Sequence, residues 1–225
     1  SFIGREDEIQ IIKNLLKQTR LLTLTGSGGA GKTRLALKVA EDLIDDFANG
    51  VWFAELAAIL NPTLLLQEIM NIFGLKEESR GTPEDILYDH LKDKEMLLIL
   101  DNCEHLVEAC AVIAEKLLSN CPKLKILSTS REALKSKGEQ IHRVPSLDIP
   151  DPKKVISVEK LMQYESVRLF TERALSVDES FRVNNENALA LASICCQLDG
   201  IPLAIELAAA RIKIMSIEKI HERLN

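Results

Sequence analysis

Leu21-Leu22-Thr23-Leu24-Thr25-Gly26-Ser27-Gly28-Gly29-Ala30-Gly31-Lys32-Thr33 is the stretch from which the fold is read. Its first five residues are apolar or β-branched and bounded by glycine, which predicts a strand. Four of the next six are glycine, a turn composition, and helical spacing of apolar residues resumes over 32–43. Strand, glycine loop and helix in this order are the setting in which G-x-x-x-x-G-K-[ST] binds phosphate. Glycine lets main-chain N–H groups approach an anion with no Cβ in the way, and the helix N-terminus adds its positive end. Gly28, Gly29, Ala30 and Gly31 then form the cradle, Lys32 neutralises the β- and γ-phosphates, and Thr33 offers its hydroxyl to Mg2+. Arg34 follows in the same helical turn and is counted with the nucleotide-binding set. The alternative is a glycine turn that only tightens strand-to-helix packing.

Outward from this loop the chain keeps alternating. Further strands are expected at 51–56, 96–100, 125–129 and 140–144, and helices at 6–18, 63–73, 83–92 and 105–119. Strands separated by helices, one of them apolar at consecutive positions, predict an α/β fold. The expected core is a P-loop NTPase type with a five-stranded parallel sheet covered on both faces, spanning 1–147. Residues 148–162 lie in a proline-rich, charged stretch without a period and are read as a connecting segment. Helices expected near 164–177, 186–198, 202–213 and 217–224 make a small four-helix domain at 163–225, with Asp199-Gly200 breaking the second from the third.

Composition narrows the function classes. The 225 residues are 46% hydrophobic, which excludes disorder as the main state, and 28 Lys+Arg against 34 Asp+Glu leave a net charge of −6. That acidic balance argues against nucleic acid as this segment's partner. Apolar runs are too short to span a membrane, so no membrane partner is expected. Five cysteines without CxxC spacing argue against a disulfide framework and a zinc site, and fit a reducing cytoplasm. The opening Ser1-Phe2-Ile3-Gly4-Arg5 and the closing Glu222-Arg223-Leu224-Asn225 are expected to be cuts within a longer protein.

Four further places carry chemistry. Leu97-Leu98-Ile99-Leu100-Asp101 delivers a carboxylate to the end of a buried strand, where it either holds Mg2+ jointly with Thr33 or caps a turn. Asn102 follows, where many hydrolytic P-loop ATPases place an acidic residue; an amide is no carboxylate base, so slow hydrolysis is expected. Glu104 and His105 either orient a water or, the favoured reading, belong to the first turn of the next helix. Arg131 leaves the strand of Ser128-Thr129-Ser130 and reaches the same rim if that strand neighbours the one carrying Asp101. It is then a sensor of the γ-phosphate; otherwise it is a surface arginine. Pro202, in Gly200-Ile201-Pro202-Leu203, suits the first turn of a helix.

Phe2-Ile3-Gly4-Arg5-Glu6, the glycine loop, the run from Leu97 to Asn102, Ser128 to Arg131 and Gly200 to Leu203 together resemble the STAND class of signal-transduction ATPases. Within that class the chain resembles the NB-ARC-like module of apoptosome proteins, plant resistance proteins and bacterial regulators, the bacterial group with Asp-Asn-Cys-Glu-His above all. The resemblance implies an ATP/ADP and Mg2+ switch whose nucleotide is held between an α/β and a helical domain. It further implies Arg5 near the adenine, Arg131 as first sensor, Pro202 packed on the base, and Lys32, Asp101 and Arg131 as the catalytic set. A winged-helix domain and sensor repeats normally follow, and the activated form self-assembles. Two other classes remain in view: a DNA-bound initiator-type ATPase, which opens on a similar Gly-Arg-Glu element, and a small-molecule kinase, which needs an acceptor site and an arginine-bearing lid.

Overall fold

Leu97, Leu98, Ile99 and Leu100 are all fully buried, which is why the strand they form is apolar at every position rather than at every second one. In the computed structural model, which describes residues 2–76, 81–154 and 157–224, the elements follow in order. They are α1 (Glu6–Gln18), β1 (Leu21–Thr25), α2 (Lys32–Leu43), β2 (Val51–Glu55), α3 (Leu65–Ile72), α4 (Pro83–Leu91), β3 (Met96–Asp101), α5 (Val107–Asn120), β4 (Leu124–Ser130) and β5 (Glu139–Arg143). Then come α6 (Val158–Leu161), α7 (Glu165–Val177), α8 (Ala188–Gln197), α9 (Pro202–Ala209) and α10 (Ile217–Leu224).

The five strands form one parallel sheet in the order β2-β3-β4-β1-β5. This is the α/β, P-loop NTPase sheet expected from the sequence. Register aligns the strand ends that matter: Thr25 of β1 lies opposite Ser130 of β4, and Leu100 of β3 opposite Ser128. The glycine loop, Asp101 and Arg131 therefore leave the sheet along one edge, the carboxyl edge where ligands of such sheets bind.

The chain divides into two compact units, one of Arg5–Ser27 and Lys32–Val144, the other of Ser1–Gly4, Gly28–Gly31 and Pro145–Asn225. In the sheet unit, Leu98 and Leu100 share a core with Ile69 of α3, Leu87 and Leu91 of α4, and Cys110 and Leu117 of α5. Leu97 and Ile99 point to the opposite face of the pleat, where α2 buries Leu35, Ala36 and Val39. In the helical unit, Val167 and Phe170 of α7, Leu191 and Ile194 of α8, Ile205 of α9 and Ile220 of α10 pack together.

Several boundaries differ from expectation, each for a local reason. The helix expected over 63–73 opens as a 3-10 turn, Pro62–Leu64, whose first donor bonds to the Asn61 side chain at 3.1 Å. The helix expected over 105–119 is preceded by a 3-10 turn at Cys103–His105 and begins at Val107. The one expected over 202–213 is α-helical only to Ala209 and tightens to 3-10 over Ala210–Lys213. The proline-rich stretch is not bare connection: Leu147 and Leu161 are buried in the helical core, and α6 is a single turn capped by Ser157, whose hydroxyl accepts from the Lys160 N–H at 3.3 Å.

Candidate functional site

Lys32 opens α2, and its side chain folds back over the turn it follows. Its ammonium donates to the carbonyls of Gly26 and Ser27 at 3.0 and 3.1 Å. Burial pushes the Lys32 ammonium below the ordinary lysine value of 10.5; Glu104 and Asp101 oppose that shift and Arg131 adds to it. Glu104, Asp101 and Arg131 thus act on Lys32 through space. Thr33, the next residue, donates its hydroxyl to Asp101 Oδ1 at 2.7 Å.

Asp101 is the last residue of β3 and is 5% exposed. A buried carboxylate needs donors, and a second comes from β4: Thr129 Oγ1 donates to the same Oδ1 at 2.6 Å. That hydroxyl also accepts from the main-chain N–H of Asn102 at 2.9 Å. Asn102 turns the chain out of the sheet with a left-handed φ of 65°, a conformation asparagine tolerates better than most residues. Arg131, just past β4, donates from Nε to Glu104 Oε1 at 3.1 Å, so β3 and β4 do lie side by side as the rim reading required.

Gly28 to Gly31 group with the helical unit. Gly29 has φ 78°, and a Cβ there would come within 2.9 Å of Leu203 Cβ; its carbonyl accepts from the Leu203 N–H at 3.2 Å. A Cβ on Gly31 would meet the Pro202 ring at 3.8 Å. Pro202 stands at the start of α9, where its missing N–H costs nothing. Arg5 is 4% exposed at the N-cap of α1, and Arg34 is exposed on α2.

Of the residues singled out from the sequence, the sheet unit therefore brings Lys32, Thr33, Asp101 and Arg131 to one edge. The helical unit brings Gly29, Gly31 and Pro202 together. Thr129 was missed, although a signal existed: Ser128, Thr129 and Ser130 are polar in a strand buried on both faces, and buried hydroxyls need partners. The helix-turn reading of Glu104 omitted its ion pair with Arg131. His105 is structural, its Nε2 lying 2.9 Å from the Ile59 carbonyl.

Asp101 and Thr33 fit a divalent cation. Both are hard oxygen donors with their oxygens in contact, and Mg2+ takes one or two protein oxygens and completes its shell with water and phosphate. The N-terminus of α2 fits the phosphates that would accompany it.

A family model described as an AAA domain matches residues 14–137. An uncharacterized protein of Mycobacterium tuberculosis is 39% identical over 225 residues, which is 100% of this chain and 54% of that protein. A second protein of the same organism, whose name proposes it as an HTH-type transcriptional regulator, is 41% identical over 214 residues, 95% of this chain and 23% of its own length. The chain thus spans about half of the first relative and less than a quarter of the second. Among solved structures, a signal transduction ATPase with numerous domains and a tetratricopeptide repeat sensor, from Pyrococcus horikoshii, superposes with TM-score 0.60 at 16% identity, over 99% of this chain and 32% of that one. Cdc6p from Pyrobaculum aerophilum does so with TM-score 0.60 at 15% identity, over 99% and 65%. At such identities these likenesses speak for the fold. Sheet order, phosphate loop and family match agree: the chain belongs to the AAA domain family of P-loop NTPases.

Proposed function

We propose that this chain is the adenine-nucleotide switch of a larger signal-transduction ATPase, of the STAND class and NB-ARC-like in type. The observation that carries the reading is the convergence of Lys32, Thr33, Asp101 and Arg131 on one sheet edge, with an amide at Asn102 in place of a carboxylate. Such a site binds a nucleoside triphosphate and hydrolyses it slowly. In this reading Thr33 and Asp101 would hold Mg2+, which would supply positive charge to partly neutralise the phosphates. Lys32 and the amides of Gly28 to Gly31 hold the phosphates, Arg131 meets the terminal one, and Arg5 and Pro202 approach the adenine. The boundaries 1–147, 148–162 and 163–225 are the proposed domain organisation, with winged-helix and sensor domains beyond this segment, a cytoplasmic setting and self-assembly on activation. The nucleotide acts by changing the relative free energies of two arrangements of the intact protein.

The test is to identify the nucleotide retained by the purified chain and to measure turnover. Stoichiometric ADP and turnover well under one per second are expected, with Lys32→Ala losing both nucleotide and turnover while keeping its circular dichroism. Rapid phosphate transfer to a small-molecule acceptor would move the reading to a kinase.

A second reading, a DNA-bound initiator-type ATPase, draws on the likeness to Cdc6p, which extends over nearly the whole chain. It predicts duplex binding whose affinity falls steeply with salt. The net charge of −6 opposes it. Flat titrations against duplex DNA at low salt would remove it.

A further inference from the structure

We propose that Glu104 sets the preference between ATP and ADP by competing with the terminal phosphate for Arg131. The inference rests on the reading of Arg131 as a contact of that phosphate.

The two partners of the Glu104–Arg131 pair are held very differently. Glu104 lies in the 3-10 turn after β3, and both its neighbours are anchored: Cys103 donates its thiol to the Leu100 carbonyl at 3.3 Å, and His105 reaches the Ile59 carbonyl. Its side chain is 20% exposed, while that of Arg131 is 67% exposed. The carboxylate is therefore the fixed member and the guanidinium the movable one. Among the described residues Glu104 Oε2 is buried without a hydrogen-bond donor, so the carboxylate is held directly through Oε1 by Arg131, while Lys32 acts on it only through space.

Drawing Arg131 onto a phosphate leaves that fixed carboxylate with less compensation. It also sets a new negative charge beside one already present. ADP asks neither of these, because it presents no terminal phosphate to Arg131. Glu104 is thus a built-in anion that disfavours ATP relative to ADP and biases the switch toward its diphosphate form. With Arg131 largely exposed, the pair belongs with weak, screened ion pairs, which corresponds to a bias of about two- to fivefold.

Glu104→Gln separates charge from shape, since the amide oxygen can still accept from Arg131 Nε. Dissociation constants of the full chain for ADP and for the β,γ-imido analogue of ATP, both with Mg2+, are measured by calorimetry in the unmodified chain, E104Q, R131A and the double variant. E104Q is expected to raise the ATP-over-ADP affinity ratio about two- to fivefold through tighter ATP binding, and to change nothing in the R131A background. An unchanged ratio overturns the proposal. A lowered ratio also overturns it and makes Glu104 an orienting partner of Arg131, as does a rise that survives in R131A. Glu104→Asp withdraws the carboxylate by one methylene and gives a smaller rise, which keeps the test open if E104Q folds poorly. Failure of the unmodified chain to bind any adenine nucleotide defeats the parent reading, and the proposal with it.

Discussion

Thr129 joins two strands through a single oxygen. Its hydroxyl accepts from the Asn102 N–H and donates to Asp101 Oδ1, where the Thr33 hydroxyl also arrives. Valine has nearly the same shape but neither function, so Thr129→Val leaves the Asn102 amide without its acceptor and removes one donor from a carboxylate that is 5% exposed. A stranded buried polar group costs about 1–3 kcal/mol, and that is the loss expected in urea-induced unfolding. Thr129→Ser keeps the hydroxyl and is expected to lose less. Equal losses for the two variants would assign the effect to the missing methyl. Residues of this kind are hard to find in a sequence. Lys32, Thr33, Asp101 and Arg131 were legible because a motif and strand ends point to them. Thr129 and Glu104 act through partners 28 and 27 positions away, and only the strand order makes those partners neighbours.

At the scale of elements, what was legible followed burial on both faces of the sheet. The runs at 21–25 and 96–101 have no polar interruption except threonine until the terminal aspartate, so their strand character needs no partner information. The order β2-β3-β4-β1-β5 was not legible, because it depends on which crossovers return past β1. Leu147 and Leu161 were hidden by the prolines and charges around them. The end of α8 shows how local chemistry sets a boundary. Gly200 N–H bonds to the Cys195 carbonyl at 3.2 Å and Asp199 N–H to that of Cys196 at 3.0 Å, the paired bonds of a Schellman cap. Here the left-handed residues are Asp199, φ 51°, and Gly200, φ 65°. Asp199 is exposed and strained by its Cβ, so Asp199→Gly is expected to stabilise by about 0.5–1 kcal/mol, the relief of strain less the added entropy of the unfolded chain. Gly200→Ala has the opposite sign. Its Cβ would press on the Leu147 carbonyl and lie 2.9 Å from Ile149 Cγ2, and a loss of about 1–3 kcal/mol is expected in the same unfolding assay. If both substitutions shift the midpoint the same way, the cap does not govern this boundary.

For the whole molecule, nucleotide binding and stability are one equilibrium seen from two sides. A ligand that binds only the folded chain, at about a hundred times its dissociation constant, adds about 2.7 kcal/mol. For a chain of this length that raises the melting temperature by about 5–10 °C. The proposed function requires this increment from ADP with Mg2+ and none for Lys32→Ala. Its pH dependence has a definite sign. Lys32, proposed above to meet the phosphates, is held below its ordinary 10.5 by burial, and an adjoining phosphate would favour its charged form, so on that reading binding draws a proton onto Lys32. The ADP increment is therefore full where Lys32 is already charged and shrinks as pH rises through its lowered value, earlier than an ordinary lysine would allow. Without nucleotide the same group contributes in the opposite direction. A lysine whose folded value is depressed costs stability while it is charged, and that cost is relieved as pH rises. Thermal melts across alkaline pH, with and without ADP, are thus expected to converge, and Lys32→Ala to show neither trend. A constant ADP increment through that range would mean that Lys32 does not carry the phosphate charge.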